Sequence, residues 1–254
     1  MAKQKHFGVC HICGEYGKLS YEHIPPKAAF NSLNQRMSTL EDLLSDKSES
    51  RVPWNMQGLR YTQFQNGTGF FTLCEKCNSF TGSKYGTVYT NYICDIGQEI
   101  LKIPKEERGW GLKFHTENIN LLAFFKQVVS MFCSLNTGTF GAEFKDFLLN
   151  ENNIDFDCNK YKICMYLHAG KINRLTPMQI QIDTQTGNMY CFSEISTFPV
   201  GFVFYNLMDE PQGIFRGCDI TPFSKCDYNT LYEIDISLPF LECNTQFGLD
   251  FRAI

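Results

Sequence analysis

Cys10-His11-Ile12-Cys13 and Cys74-Glu75-Lys76-Cys77 decide how this chain is read. Each is a Cys-x-x-Cys pair, a tight turn whose two thiolates point at one ion. Two such knuckles supply the four sulfurs of a closed tetrahedral zinc site. Sixty residues lie between Cys13 and Cys74, against roughly 15–20 in a compact zinc ribbon, so something sizeable is inserted between the knuckles. A redox reading of the thioredoxin type is weaker, because no strand–helix unit of that kind surrounds either pair. Chance could produce one such pair among twelve cysteines, but two favour a metal.

The other eight cysteines are Cys94, Cys133, Cys158, Cys164, Cys191, Cys218, Cys226 and Cys243. None has ligand spacing, and they read as reduced packing residues. Met1 to Val9 carries no apolar core region or cleavage site. The longest apolar stretch, Ile119 to Leu135, is interrupted by Lys126 and Gln127 and is shorter than the roughly 20 residues of a membrane span. The expectation is a cytoplasmic protein with no membrane association, in which clustered cysteines bind metal and do not form disulfides.

The chain has 254 residues, 43% hydrophobic and 20% charged, enough apolar content to build a core. Its net charge of −4 is unevenly spread. Residues 1–91 hold ten Lys or Arg against seven Asp or Glu, and the remainder thirteen against twenty. That weak N-terminal basic bias is not the basic stripe of a dedicated nucleic-acid binder. Residues 31–68 are polar and loop-like, and the run Ser45 to Arg51 is strongly so. Residues 102–112 read as a connector punctuated by Pro104, Gly109 and Gly111. These features place a boundary near residue 100, between an N-terminal domain (1–100) and a C-terminal one (101–254).

In the C-terminal part, Leu121, Phe125, Val128, Phe132 and Leu135 keep helical spacing, with Leu122 and Val129 widening the apolar surface. A buried helix is expected over 119–135 and a second over 142–149. Strands are expected at Tyr161–His168, Met178–Asp183, Met189–Ser193, Val200–Tyr205 and Leu231–Leu238. This half reads as an α+β domain whose sheet is covered by the long helix.

Between the knuckles stands Tyr21-Glu22-His23-Ile24-Pro25-Pro26-Lys27. A carboxylate beside a histidine joins a ligand for a hard metal to a base that titrates near neutral pH. On a strand the two side chains point to opposite faces, so the backbone must bend, or metal and histidine must flank the substrate from two sides. Pro25 and Pro26 fit a chain that leaves strand pairing there. Taken alone, a Glu-His pair is more often structural than catalytic.

The order Cys-x-x-Cys, Glu22-His23-x-x-Pro26, then Leu73-Cys74-x-x-Cys77-Asn78 resembles the zinc-stapled HNH endonucleases, the ββα-metal or His-Me finger nucleases. Thr81-Gly82 and Tyr85-Gly86 are similar to the branch in which a glycine-broken helix follows. The resemblance covers about residues 8–90. It implies an α+β protein with an N-terminal ββα-metal domain stapled by structural zinc on Cys10, Cys13, Cys74 and Cys77. It further implies hydrolysis of DNA phosphodiesters to 5′-phosphate and 3′-hydroxyl ends, with His23 as general base. Glu22 and Asn78 would hold a catalytic Mg²⁺ or Mn²⁺, and Lys27, Lys76 and Lys84 are candidate phosphate contacts.

Two positions depart from the family pattern. The middle Asn that usually precedes the second knuckle has Asn66 as its nearest counterpart, one turn early. The histidine that many members carry later on the helix is Gly82 here. The acidic C-terminal part is expected to regulate, dimerise or bind a protein partner. HNH modules joined to unfamiliar second domains resemble bacterial antiphage effectors. The alternative is a non-catalytic zinc module that docks nucleic acid or a protein.

Overall fold

The computed structural model describes residues 5–39, 41–42, 58–170, 173–182, 189–207 and 217–241. The polar run Ser45–Arg51 and Cys243 lie outside the described residues. The architecture is mixed α+β.

Strands β1 (Phe7–Val9) and β2 (Tyr16–His23) form a hairpin whose turn carries the first knuckle. Cys10 N–H donates to the Glu15 carbonyl and Gly14 N–H to the Cys10 carbonyl, both at 2.9 Å, which folds Cys10 and Cys13 towards each other. Short strands β3 (Gln35–Met37) and β4 (Thr62–Phe64) pair with each other inside the insertion. Strand β5 (Gly69–Cys74) returns antiparallel to β2, so the sheet order is β1-β2-β5. The chain passes directly from β5 into helix α1 (Glu75–Thr81), with Cys74 as its N-cap. The second knuckle therefore straddles a strand end and a helix start.

A glycine break was expected after α1, but the helix widens there instead of ending. Residues Gly82–Gly86 form a π-helical turn, and α2 (Thr87–Lys102) continues from it. Such insertions keep the helical path while adding one residue to a turn. The expected connector is also more ordered than its composition implied: strand β6 (Gly111–Ile119) starts within it and pairs with a strand more than a hundred residues later.

Helix α3 (Leu121–Leu135) is the centre of the molecule. Asn120 caps it, its side chain accepting from the Ala123 N–H at 2.9 Å. Every residue from Leu121 to Ser134 is buried. Lys126 is among them; its ammonium donates to the Asn150 and Glu151 carbonyls at 2.7 and 3.0 Å, and burial pushes its pKa down to about 7. The expected second helix is two short ones, α4 (Gly138–Ala142) and α5 (Lys145–Leu149).

Strands β7 (Tyr161–Leu167), β8 (Arg174–Ile182), β9 (Met189–Thr197), β10 (Val200–Asn206) and β11 (Cys218–Asp219) make a five-stranded sheet in the order β11-β7-β10-β9-β8. Strand β12 (Tyr232–Pro239) instead completes the ribbon with β6. Phe132 meets Phe204 edge-on, ring centres 5.3 Å apart, so α3 covers this sheet as its apolar pattern implied. Phe124, two turns earlier on α3, meets Tyr92 of α2 at 5.0 Å and also contacts Phe202 of the sheet.

Helix α3 also grips the first knuckle. His11 Nδ1–H donates to the Cys133 carbonyl at 3.1 Å. A Cβ at Gly141 would stand 1.8 Å from the His11 carbonyl oxygen, so only glycine fits there. One apolar cluster accordingly holds Ile12, Leu19 and Leu73 together with Leu122, Phe132, Met165 and Phe202. The chain crosses from α2 to β6 near residue 103, but the core is continuous across that point.

Candidate functional site

The four knuckle sulfurs lie within 4.8 Å of one another, with Cys13 and Cys74 3.9 Å apart. A tetrahedral zinc at about 2.3 Å from each sulfur sets them about 3.8 Å apart, so the cluster has the size of a closed metal site. Protons are unevenly shared among the sulfurs: burial raises the Cys13 pKa, and the hydrogen bond to Cys10 together with burial holds Cys77 well above the usual thiol range. A hydrogen bond from Cys77 draws the Cys10 pKa down to about 4 against the opposing effect of burial, and the backbone at Cys74, Cys13 and Ile12 adds to the lowering. These are the groups that would hold a structural metal ion. Among the described residues, no other group of His, Cys, Asp and Glu converges this way.

His23 ends β2 opposite Gly69. Its Nε2 lies 3.1 Å from the Asn66 carbonyl oxygen. A carbonyl only accepts, so Nε2 carries the proton and the neutral ring keeps its lone pair on Nδ1. Burial lowers the His23 pKa, outweighing the opposing Asn66 bond, and the Lys27 charge lowers it further. The imidazole is thus held neutral, in one tautomer, at physiological pH.

The turn that presents the Asn66 carbonyl is closely held. Asn66 and Gly67 adopt φ of 62° and 98°, and a Cβ at Gly67 would lie 1.8 Å from the Asn31 carbonyl oxygen. Asn31, only 2% exposed, clamps this turn. Its Nδ2 donates to the Pro25 carbonyl at 2.7 Å and the Thr68 carbonyl at 2.8 Å, while Oδ1 accepts from the Thr68 N–H at 2.8 Å. One side chain therefore ties the loop after His23 to the strand opposite it. Asn66 acts through its backbone and Asn31 through its amide. No motif in the sequence marks Asn31, since its Thr68 partners lie 37 residues away.

Glu22 faces the other way, on the helix side of β2 with Ser20. Its carboxyl accepts a hydrogen bond from Ser134 of α3 and is 6% exposed. Burial pushes its pKa up to about 8, opposed by the Ser134 bond and reinforced by the Cys10 charge. Asn78 sits on α1 across from it. Its Nδ2 donates to Ser20 Oγ at 3.0 Å and the Tyr21 carbonyl at 3.3 Å, which leaves Oδ1 to accept or to ligate.

Glu22, His23 and Asn78 line one cleft of about 420 Å³. Lys27 lines it as well, together with Thr81, Gly82, Gly86, Thr87, Thr90, Asn91 and Gln127. Lys76 and Lys84 do not. Lys84 is paired with Glu151 at 2.6 Å, and its carbonyl accepts from Tyr228. The cleft thus gathers a neutral histidine, two oxygen donors and a cation. Ser134 and Gln127 were not foreseen, because nothing in their local sequence shows that α3 packs behind the hairpin. Comparison with known proteins adds no family: no family model matches the chain, nor does any curated protein or solved structure. No helix among the described residues is long and apolar enough to cross a membrane.

Proposed function

We propose that this chain is a metal-dependent HNH-type endonuclease that hydrolyses DNA phosphodiester bonds. The observation that carries the reading is the setting of His23. It ends a strand stapled by the four cysteines, its Nε2–H is committed to the Asn66 carbonyl, and its Nδ1 remains as a base beside Asn78 and Glu22 in one cleft. A structural zinc-binding turn alone has no need of an oriented imidazole.

In this reading Nδ1 of His23 takes a proton from the attacking water, a role worth roughly 10²–10⁴ in rate. Lys27, on the same cleft, attracts the phosphate. The donor set fits a hard cation that takes oxygen ligands: Asn78 offers Oδ1, its nitrogen being fixed by β2, and Glu22 offers a carboxyl, steadied by Ser134, that would release its proton on binding the cation. Mg²⁺ or Mn²⁺ bound there supplies Lewis-acid stabilisation of the charge that develops on the phosphate. The two protein ligands sit on facing elements, β2 and α1.

The burial of Glu22 favours a second reading, in which the module holds zinc and docks nucleic acid or a protein without cutting. Relaxation of supercoiled plasmid with Mg²⁺ or Mn²⁺, using the native chain and His23→Ala, separates the two. Nicking by the native chain that is lost in His23→Ala supports the nuclease. Plasmid left intact by both, or cut equally by both, refutes it.

A further inference from the structure

We propose that the half of the cleft from Gly82 to Asn91, floored by Gln127, is a subsite for one unpaired nucleoside beside the reacting phosphate, so that the substrate strand enters single-stranded. The proposal rests on the nuclease reading for the identity of the phosphate, but its binding test does not require cutting.

Along this wall the helix presents Thr81, Gly82, Gly86, Thr87, Thr90 and Asn91 to the cleft. All are small or polar and uncharged. The π-turn sets two glycines four residues apart, and bulges of this type occur often at functional sites. A Cβ at Gly82 would meet nothing within 4 Å, and one at Gly86 would meet only Gln127 Oε1, at 3.7 Å. The backbone is therefore bare over a stretch where a flat group can approach closely.

Gln127 provides an independent sign of a ligand. It is 3% exposed, and its Oε1 has no hydrogen-bond partner among the described residues. Buried acceptors are ordinarily satisfied. This one faces the gap over Gly86 and calls for an N–H or O–H donor from whatever occupies it.

The chemistry narrows the occupant. Among the described residues Lys27 is the one Lys or Arg in the lining, and the chain carries a net charge of −4. Duplex affinity depends on neutralising many phosphates, which this cleft does not offer. Its 420 Å³ suits a ligand of nucleotide size, within the roughly 300–1,000 Å³ of small-molecule sites. Neutral hydroxyls and amides are what read the edges of an unstacked base or a sugar hydroxyl. The donor to Gln127 is thus a base amino group or a ribose 2′-hydroxyl.

The test is fluorescence anisotropy on the zinc-loaded full chain carrying His23→Ala, with labelled single-stranded DNA, single-stranded RNA and duplex DNA in Mg²⁺. Single strands are expected to bind tighter than duplex. Gly82→Leu, which fills the cleft, and Gln127→Leu, which removes the acceptor, should each weaken single-strand binding about tenfold. Both should melt at or above the parent temperature, because leucine favours the helix over glycine and an orphan acceptor is removed. Tighter RNA binding that Gln127→Leu abolishes assigns the donor to the 2′-hydroxyl. Equal DNA and RNA binding, with preference for amino-bearing adenine or cytosine tracts, assigns it to the base. Unchanged affinity in both variants, a preference for duplex, or no binding at all overturns the subsite. Binding with these sensitivities by a native chain that does not cut upholds the subsite while ending the nuclease reading. Cutting that ignores Gly82→Leu does the reverse.

Discussion

Around Cys10 and Cys77 the chain folds with few large apolar residues of its own; Ile12, Leu19, Ile24 and Leu73 are its main buried aliphatic side chains. Around Phe204 the opposite holds. The rings of Phe132, Phe140, Phe144, Phe156 and Tyr161 all lie within 6.4 Å of its ring, edge-on or tilted. The first region has a four-sulfur cluster that could hold a metal ion and a few buried polar clamps, and the second has close-packed aromatic area. A region held by ligands and hydrogen bonds can leave an imidazole and two oxygen donors at a cleft, where an aromatic core would bury them. Helix α3 joins the two, giving Phe132 to the sheet, Ser134 to Glu22 and Gln127 to the cleft floor.

If that contrast is sound, removing the sulfur staple should do the most damage. Cys77→Ser, or a strong chelator on the native chain, is expected to lower the melting temperature by roughly 10–20 °C, from loss of several kcal/mol of ligation. Metal analysis should fall from about one zinc per chain to none. A chelated chain that melts as before would break the comparison.

Phe204→Ala tests the other half. Truncating an aromatic at the centre of a packed sheet core costs roughly 3–5 kcal/mol, while the zinc content of the folded protein should remain at about one per chain. Loss of zinc in folded Phe204→Ala would mean that the knuckles depend on the sheet.

Glu22 gives the smallest and most specific effect. The unfolded chain releases this proton near 4.5, whereas the folded chain keeps it up to about 8. The folded state therefore binds more protons across that window, and stability falls as pH rises through it. Without divalent cations, denaturant titrations should show a loss on the order of 3 kcal/mol between pH 5 and 8, and Glu22→Gln should flatten that slope. A slope that survives Glu22→Gln would assign the dependence to another group.

The sequence made the cysteine cluster and most of the C-terminal elements legible for a physical reason. Tight turns and alternating or 3.6-residue apolar patterns are local, and the residues that make them are neighbours. Strand β6 escaped notice because Gly109, Trp110 and Gly111 read as a connector, and its partner β12 lies far along the chain. The clamp of Asn31 on Thr68, the reach of Ser134 to Glu22 and the approach of Gln127 to Gly86 escaped it for the same reason. Each depends on a contact between segments that only the folded chain brings together. His23 and Asn78 were nameable from their spacing, but the tautomer of His23 was not, since the Asn66 carbonyl sets it.

The central claim is that Nδ1 of His23 is the base in a cleft that cuts nucleic acid. Its most direct test is single-turnover cleavage of a 5′-labelled oligonucleotide in Mg²⁺ by the native chain and by His23→Ala at matched zinc content, with and without added imidazole. The account predicts products with 5′-phosphate and 3′-hydroxyl ends, a rate about 10²–10⁴ lower in His23→Ala, and partial recovery with imidazole. A His23→Ala chain that cuts at the native rate, or a native chain that does not cut, would contradict it.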